Sequence, residues 1–311
     1  MEDRIIVFGC GNVGREALHY YGRENVFAFC DNYYKETVYE GIPVIKISDL
    51  AGMSNCRLVL AVRRINALQS IEKQLHELNL PFTLFDDDLL GKKRDVNELF
   101  SWIYKNNAWG SASEGEDFYS GNGSHDEDII RPYIQLVRTM IQLNEIENVV
   151  EIGCGDFFIM RQVLMGFDRI HYCGIDVVDS LIDYNQQKYG DSNTCFSCFD
   201  ASDDSCHMPE GDLLIIRQVL QHLDNASILK ILKKTDNYKY VLITEHISAD
   251  KEAIKNLDKP VSAGTRLYKN SGVYLDAPPF NVENCVNLLS IQASEGIIRT
   301  SLIVNKGKQS R

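Results

Sequence analysis

An α/β chain in two successive units is the fold this sequence predicts, and three features predict it. Two glycine-rich turns, in "IIVFGCGNVG" near the start and "VVEIGCGDF" at 149–157, each close a run of β-branched residues. Around each turn, short apolar runs alternate with amphipathic helical stretches, the pattern of a mostly parallel sheet covered on both faces. The chain also ends in two β-rich runs separated by turn residues, which predicts a terminal antiparallel hairpin on a sheet edge.

The elements follow in order. "RIIVF" at 4–8 reads as a buried strand, and "GCGNVGREALHYYG" turns from it into a helix. Strands are expected at 26–32, ending at Asp31, and at 56–62, with an amphipathic helix at 70–79. The polar stretch "DDDLLGKKRD" then closes a small first domain, 1–90. Residues 91–125 read as a linker and active-site loop, because 109–124 holds four glycines and four serines among large aromatics. A helix beginning near Asp126 carries Ile129, Tyr133, Leu136, Val137, Met140 and Ile141 at helical spacing and opens the second domain, 126–307. There, strands at 148–152, 171–176, 195–200, 212–218 and 240–246 alternate with helices at 157–165, 180–190 and around 225–235, before the hairpin built from "VNLLSIQA" and "GIIRTSLIVNK".

Composition narrows the partners. The 311 residues are 44% hydrophobic, enough for two cores, and carry a formal net charge of −12. No dense Lys/Arg run offsets that charge, so no nucleic acid is expected as partner. No apolar run approaches the roughly 20 residues that cross a bilayer, so no membrane insertion is expected. Nine cysteines, several inside apolar runs, together with an N-terminus unlike a secretory signal, lead to the expectation of reduced thiols and a cytoplasmic protein. Cys195 and Cys198 have CxxC spacing without a second such pair, and His207 beside Asp203 and Asp204 is explained by an acidic turn, so no metal is assigned.

The second glycine turn carries the chemistry. Glu151, Gly153 and Gly155 form E-x-G-x-G where a strand gives way to a helix, a place where glycines permit close approach of a ligand to backbone. The third glycine of a dinucleotide fingerprint is replaced by Phe158. Asp176 falls 23 residues after Gly153 at the end of the next strand, where a carboxylate can accept from both hydroxyls of a ribose, and Asp200 ends another strand nearby. A nucleoside suits these strand ends.

These residues resemble the class I S-adenosylmethionine-dependent methyltransferases: "VVEIGCGDF" their first motif, "YCGIDVVD" their ribose-binding strand, "FDASD" their adenine-side segment, and "DLLIIRQVLQHLDN" their fourth strand and following helix. The resemblance covers about 125–307 and implies a Rossmann-like methyltransferase sheet preceded by a smaller Rossmann-like domain. It also implies S-adenosyl-L-methionine as cofactor, held by Glu151, Gly153, Cys154, Gly155, Asp176, Val177, Asp200, Ala201 and Arg217. The narrower pattern "NNAWG...SGNGS" with "APPF" is similar to bacterial glycan and sugar methyltransferases. It implies O-methylation of a sugar, nucleotide-sugar, glycan precursor or related small molecule in carbohydrate biosynthesis.

A sugar hydroxyl is a weak nucleophile, so an aligned base assists its attack. His222 is the first candidate, with packing or capping as the plain alternative; Arg217, Glu245 and His246 are further acceptor contacts, and Tyr119, Tyr268 and Tyr274 stand behind them. Cys154 reads as packing, since nothing nearby would activate its thiol.

The first turn is on pattern the fuller fingerprint. Gly9, Gly11 and Gly14 complete G-x-G-x-x-G, and Asp31 lies 20 residues beyond Gly11. A second nucleotide ligand there, a homodimer surface and a plain scaffold all stay open. So do two other functions, an NAD-dependent oxidoreductase using that turn and a non-enzymatic nucleotide-sensing or assembly module.

Overall fold

The computed structural model describes residues 4–53, 55–92, 94–111 and 116–305, and the chain divides into two compact units, Met1–Lys92 and Lys93–Arg311. In the first, the elements are β1 (Arg4–Phe8), α1 (Asn12–Tyr21), β2 (Val26–Cys30), β3 (Val38–Tyr39), β4 (Ile42–Ile45), α2 (Ile47–Leu50), β5 (Cys56–Leu60), α3 (Ile65–Glu77), β6 (Thr83–Leu84) and α4 (Phe85–Leu89). They form one sheet in the order β3-β4-β2-β1-β5-β6, parallel except for the β3/β4 pair. Val7, Phe29 and Val59 are completely buried in its core. Helix α3 starts five residues before the expected Ser70, because Leu68 in that extra turn is buried with Ile71 and Leu75.

The second unit begins where a linker was expected. Residues 96–105 form α5 (Val96–Lys105), with Asp95 capping its first turn by accepting from the Glu98 N–H. Leu99, Phe100 and Ile103 recur at i, i+1 and i+4 on one face and are buried in the main core, so this segment belongs to the domain that follows. After it come α6 (Glu127–Leu143), β7 (Asn148–Ile152), α7 (Phe158–Leu164), β8 (His171–Asp176), α8 (Asp179–Tyr189), β9 (Thr194–Cys198), β10 (Leu213–Arg217), α9 (Asn225–Lys234) and β11 (Tyr240–Ile247). A two-stranded ribbon of β12 (Ile254–Lys255) and β13 (Ser271–Gly272) precedes the hairpin of β14 (Cys285–Ala293) and β15 (Gly296–Val304).

The seven-stranded sheet runs β14-β15-β11-β10-β7-β8-β9. Its five central and right-hand strands are parallel; β15 pairs antiparallel to β11 from Tyr240↔Val304 to Ile247↔Ile297, and β14 antiparallel to β15. Period-two alternation sorts the buried strands between two faces. Val150, Ile152, Leu214, Ile216, Val241 and Ile243 face the layer of α5, α8 and α9. Val149, Leu213, Ile215 and Leu242 face α6 and α7. Strand order reverses direction between β7 and β10, and the ends of both strands open on the same side, where an open α/β sheet leaves a crevice.

Candidate functional site

The turn after β7 is shaped for close approach. Gly153 and Gly155 have φ of 71° and 54°, and Phe157, which begins α7, has φ of 59°. The N–H groups of Gly153 and Cys154 both donate to the Ile175 carbonyl, at 2.7 and 3.0 Å, which ties the turn to the end of β8. A Cβ on Gly153 would stand 2.2 Å from Val219 Cγ2, and one on Gly155 2.4 Å from Ser120 Oγ. No side chain fits at either position without displacing a neighbour.

Asp176 completes the tie. One carboxylate oxygen accepts from the Gly155 N–H at 3.1 Å, the other from Val177 and Val178 at 2.8 and 3.3 Å. Burial raises its pKa while these three donors pull it down. Asn185, fully buried on α8, donates to the Gly155 carbonyl at 2.7 Å, a partner that no sequence motif announced.

A second fastening holds the segment before α6 against the turn. Asp156 accepts from the Ser120 N–H at 2.8 Å and lies 2.7 Å from His125 Nε2, while its own N–H donates to Ser120 Oγ at 2.9 Å. The His125 ring is stacked between Tyr119 and Phe158, with centroids 4.4 and 4.3 Å away. Phe158, standing where a dinucleotide fingerprint has glycine, thus forms one side of a clasp. Trp109 Nε1 donates to the Ala263 carbonyl at 3.0 Å and anchors the start of the same segment.

These contacts enclose a cavity of about 580 Å³ at the strand ends. Of the sequence-predicted residues, Glu151, Gly153, Cys154, Gly155, Asp176, Val177, Asp200, Ala201, Arg217, His222 and His246 line it. Glu151 is buried and accepts from the Tyr172 hydroxyl; burial pushes its carboxyl up to about 8, against the pull of that hydroxyl and of Arg217. Asp200 accepts from the Ser202 N–H at 2.7 Å, beside Phe199 and the buried Ala201. Burial holds the Cys154 thiol well above its ordinary pKa.

Glu245 is elsewhere. Its carboxylate accepts from the N–H groups of Val219, Leu220 and Gln221 at 3.3, 2.9 and 2.9 Å, and it borders a separate void of about 30 Å³ with Tyr274. Glu245 and His246 point to opposite faces of β11, and the backbone N–H groups at 219–221 take up the Glu245 side chain. Tyr119 donates to Asn122 Oδ1 and packs on His125, and Tyr268 is buried; neither lines the cavity.

The two histidines differ in their commitments. The His246 N–H donates to Gln221 Oε1 at 3.1 Å, which fixes that amide so that its Nε2 points at His222 Nε2, 3.3 Å away. His222 Nε2 is therefore the acceptor, and its proton sits on Nδ1, 3.3 Å from the Gly264 carbonyl. Both ring nitrogens of His222 are engaged, and its ring lies 5.1 Å from that of Trp109. His246 Nε2, by contrast, is buried without a hydrogen-bond partner among the described residues, and burial pushes the imidazole down to about 4. Arg217 is also committed: it donates to Ser124 Oγ and Gln218 Oε1 at 3.2 and 3.0 Å and to the Gly123 carbonyl at 2.6 Å. It holds the 121–124 loop over the cavity.

The N-terminal turn has a different accounting. Cβ atoms on Gly9 and Gly14 would stand 2.7 Å from the Ala61 carbonyl oxygen and 1.9 Å from that of Gly9, so packing alone requires both glycines. Gly11 faces open space. Asp31 accepts from the N–H groups of Cys10, Tyr33 and Tyr34 at 2.8, 2.8 and 3.0 Å. Among the described residues no three His, Cys, Asp or Glu side chains gather as metal ligands, and no helix is long and apolar enough to cross a membrane.

Parallel strands around a reversal of order, closed by an antiparallel hairpin, decide the architecture of the second unit. It is a Rossmann-like α/β sheet with a terminal antiparallel hairpin. The first unit is the smaller α/β domain that precedes it. No family model and no curated protein matches the chain. Similar solved structures include human N-acetylserotonin methyltransferase in complex with SAM, at 14% identity and TM-score 0.43 over 68% of this chain and 60% of that one. The N-methyltransferase NodS from Bradyrhizobium japonicum WM9 with S-adenosyl-L-homocysteine is similar at 12% identity and TM-score 0.46, over 68% of this chain and all of that one. The N-terminal domain of EvdMO1 in the presence of SAH and D-fucose is similar at 11% and 0.41, over 68% and 98%.

Proposed function

We propose that the chain is an S-adenosylmethionine-dependent methyltransferase acting on an oxygen of a sugar, glycan precursor or related small metabolite. The observation that carries this reading is the 153–155 turn, whose bare backbone is fastened to Ile175 and Asp176 at the wall of a 580 Å³ cavity. That volume lies within the roughly 300–1,000 Å³ of small-molecule sites.

The residues present fit the donor. The Asp176 oxygen that accepts from Gly155 keeps a lone pair, which suits a ribose hydroxyl; Val177, Phe199 and Ala201 give an apolar slot for adenine beside Asp200; Glu151 and the turn suit the methionyl end. When bound, S-adenosylmethionine supplies a methyl group on a positively charged sulfur, open to displacement by an acceptor oxygen. The chain's contribution is alignment, worth about 7–11 kcal/mol in favourable systems. The 121–124 loop and Trp109 wall off water, and His222 and His246 stand at the cavity wall as the two candidate bases for the hydroxyl proton.

Calorimetry with S-adenosylhomocysteine tests the donor site, and incubation with donor and acceptors tests transfer. The expected products are S-adenosylhomocysteine and an acceptor heavier by one methylene. Folded protein that takes up neither donor nor its demethylated product contradicts the proposal. For the first unit, packing of Gly9 and Gly14 supports a scaffold reading over a second nucleotide site.

A further inference from the structure

The charge on the cavity wall narrows the acceptor. Among the described lining residues six carry carboxyl groups, Asp126, Asp128, Glu151, Asp156, Asp176 and Asp200, and one is a permanent cation, Arg217; Glu151, Asp176 and Asp200 belong to the donor in the reading above, which leaves Asp126, Asp128 and Asp156 to face an acceptor. Both terminal nitrogens of Arg217 already donate to the 123–124 backbone and side chain or to Gln218, and the guanidinium lies 5.0 Å above the Tyr133 ring; its one unbonded nitrogen, Nε, is buried in the protein and not open to an anion in the cavity. The start of α6 at the cavity lip gives no anion site either. Its cap is filled by Asp126, which accepts from the Asp128 N–H, and Glu127 and Asp128 occupy its first turn.

The rest of the polar wall is neutral. Gln218, Gln221, Thr265, Gln292 and Ser294 line the cavity with amides and hydroxyls that both donate and accept, the two functions that vicinal hydroxyl groups require of a partner. Trp109 lines the same space with its N–H already bonded to Ala263, which leaves the ring as an apolar surface.

We infer that the acceptor is an uncharged, hydroxyl-rich molecule, and that phosphorylated or nucleotide-linked forms of the same molecule are rejected by the carboxylates around the cavity. This deepens the reading above and rests on the donor lying over the 153–155 turn. It also removes the nucleotide-sugar from the acceptors that the sequence left open.

The test uses the full chain. Calorimetry with S-adenosylhomocysteine first reports the donor site; its failure removes the methyltransferase reading itself. Release of S-adenosylhomocysteine is then followed with matched probes: methyl glycosides of common hexoses, the corresponding sugar phosphates, and the corresponding nucleoside diphosphate sugars. The expected result is kcat/KM at least tenfold higher for a methyl glycoside than for its phosphorylated partners, with the ratio shrinking as salt screens the carboxylates. Faster turnover of a phosphorylated or nucleotide-linked partner overturns the inference. So does donor binding without turnover of any methyl glycoside, and so does a ratio indifferent to salt, which would assign the preference to shape.

Discussion

Substituting Gly153 by alanine separates the two reasons for a glycine in the turn after β7. At φ of 71° any L-residue meets the left-handed penalty, about 1–2 kcal/mol. The new Cβ would also lie 2.2 Å from Val219 Cγ2, a collision with a branched side chain on a buried turn; overpacking of this kind costs about 1–3 kcal/mol. Gly166 is the internal control, since its φ is 79° while a Cβ there meets nothing within 4 Å. Gly166→Ala therefore carries the backbone penalty alone, and Gly153→Ala is expected to be destabilised by a further ~1–3 kcal/mol. The chain's two tryptophans, Trp102 and Trp109, both lie in the second unit, so tryptophan fluorescence during urea unfolding follows that unit by itself. The same variant should lose affinity for S-adenosylhomocysteine, because relief of the clash moves the turn or Val219, both at the cavity wall. Equal stability of the two variants, with donor affinity intact in Gly153→Ala, refutes the steric argument.

Asp176→Asn keeps the shape but removes the charge and turns one acceptor into a donor facing an N–H; S-adenosylhomocysteine should bind roughly 10–100-fold more weakly by calorimetry, as expected for about 1–3 kcal/mol. Glu245→Gln leaves at least one of three backbone N–H groups at 219–221 without its partner, and the urea midpoint should fall by an equivalent of about 1–3 kcal/mol. His246, pushed down to about 4 against an unfolded value near 6.5, contributes stability in full above pH 6.5. That contribution falls away as pH drops toward 4, because the unfolded chain takes up a proton the folded one refuses; the loss is at most about 3 kcal/mol. His246→Gln should flatten the decline of urea midpoint between pH 6.5 and 4. In transfer assays His222→Gln and His246→Gln compared side by side assign the base, which is the residue whose loss lowers kcat more.

Much of the fold is legible because buried parallel strands are unbroken apolar runs and their turns are marked by glycine and acid. "LLIIR" and "NVVEI" announce themselves in this way, and Asp176 and Asp200 lie at or just beyond strand ends, at the cavity wall. Helix α5 is equally periodic, with Val96, Leu99, Phe100 and Ile103 on one side, but the Gly/Ser-rich stretch at 109–124 that follows makes the whole of 91–125 read as linker and active-site loop. Period two sends Glu245 and His246 to opposite faces of β11, but the 219–221 backbone that holds Glu245 is a tertiary neighbour no local pattern reveals. What no local pattern holds is partnership at a distance. His125 with Asp156, Asn185 with Gly155 and Gln221 with both histidines are decided by tertiary packing, and β3, two residues long, has no period to read.

The bond from Trp109 to Ala263 joins positions 154 residues apart. A ribosome therefore delivers the covering segment before the strands it will cover, and the anchor for it only after β11 has emerged. A nascent chain that stops short of residue 263 has the glycine bend, Asp176 and the central parallel strands, yet its tryptophan has nowhere to hook. Competence for a ligand is thus among the last things this polypeptide acquires as it is made.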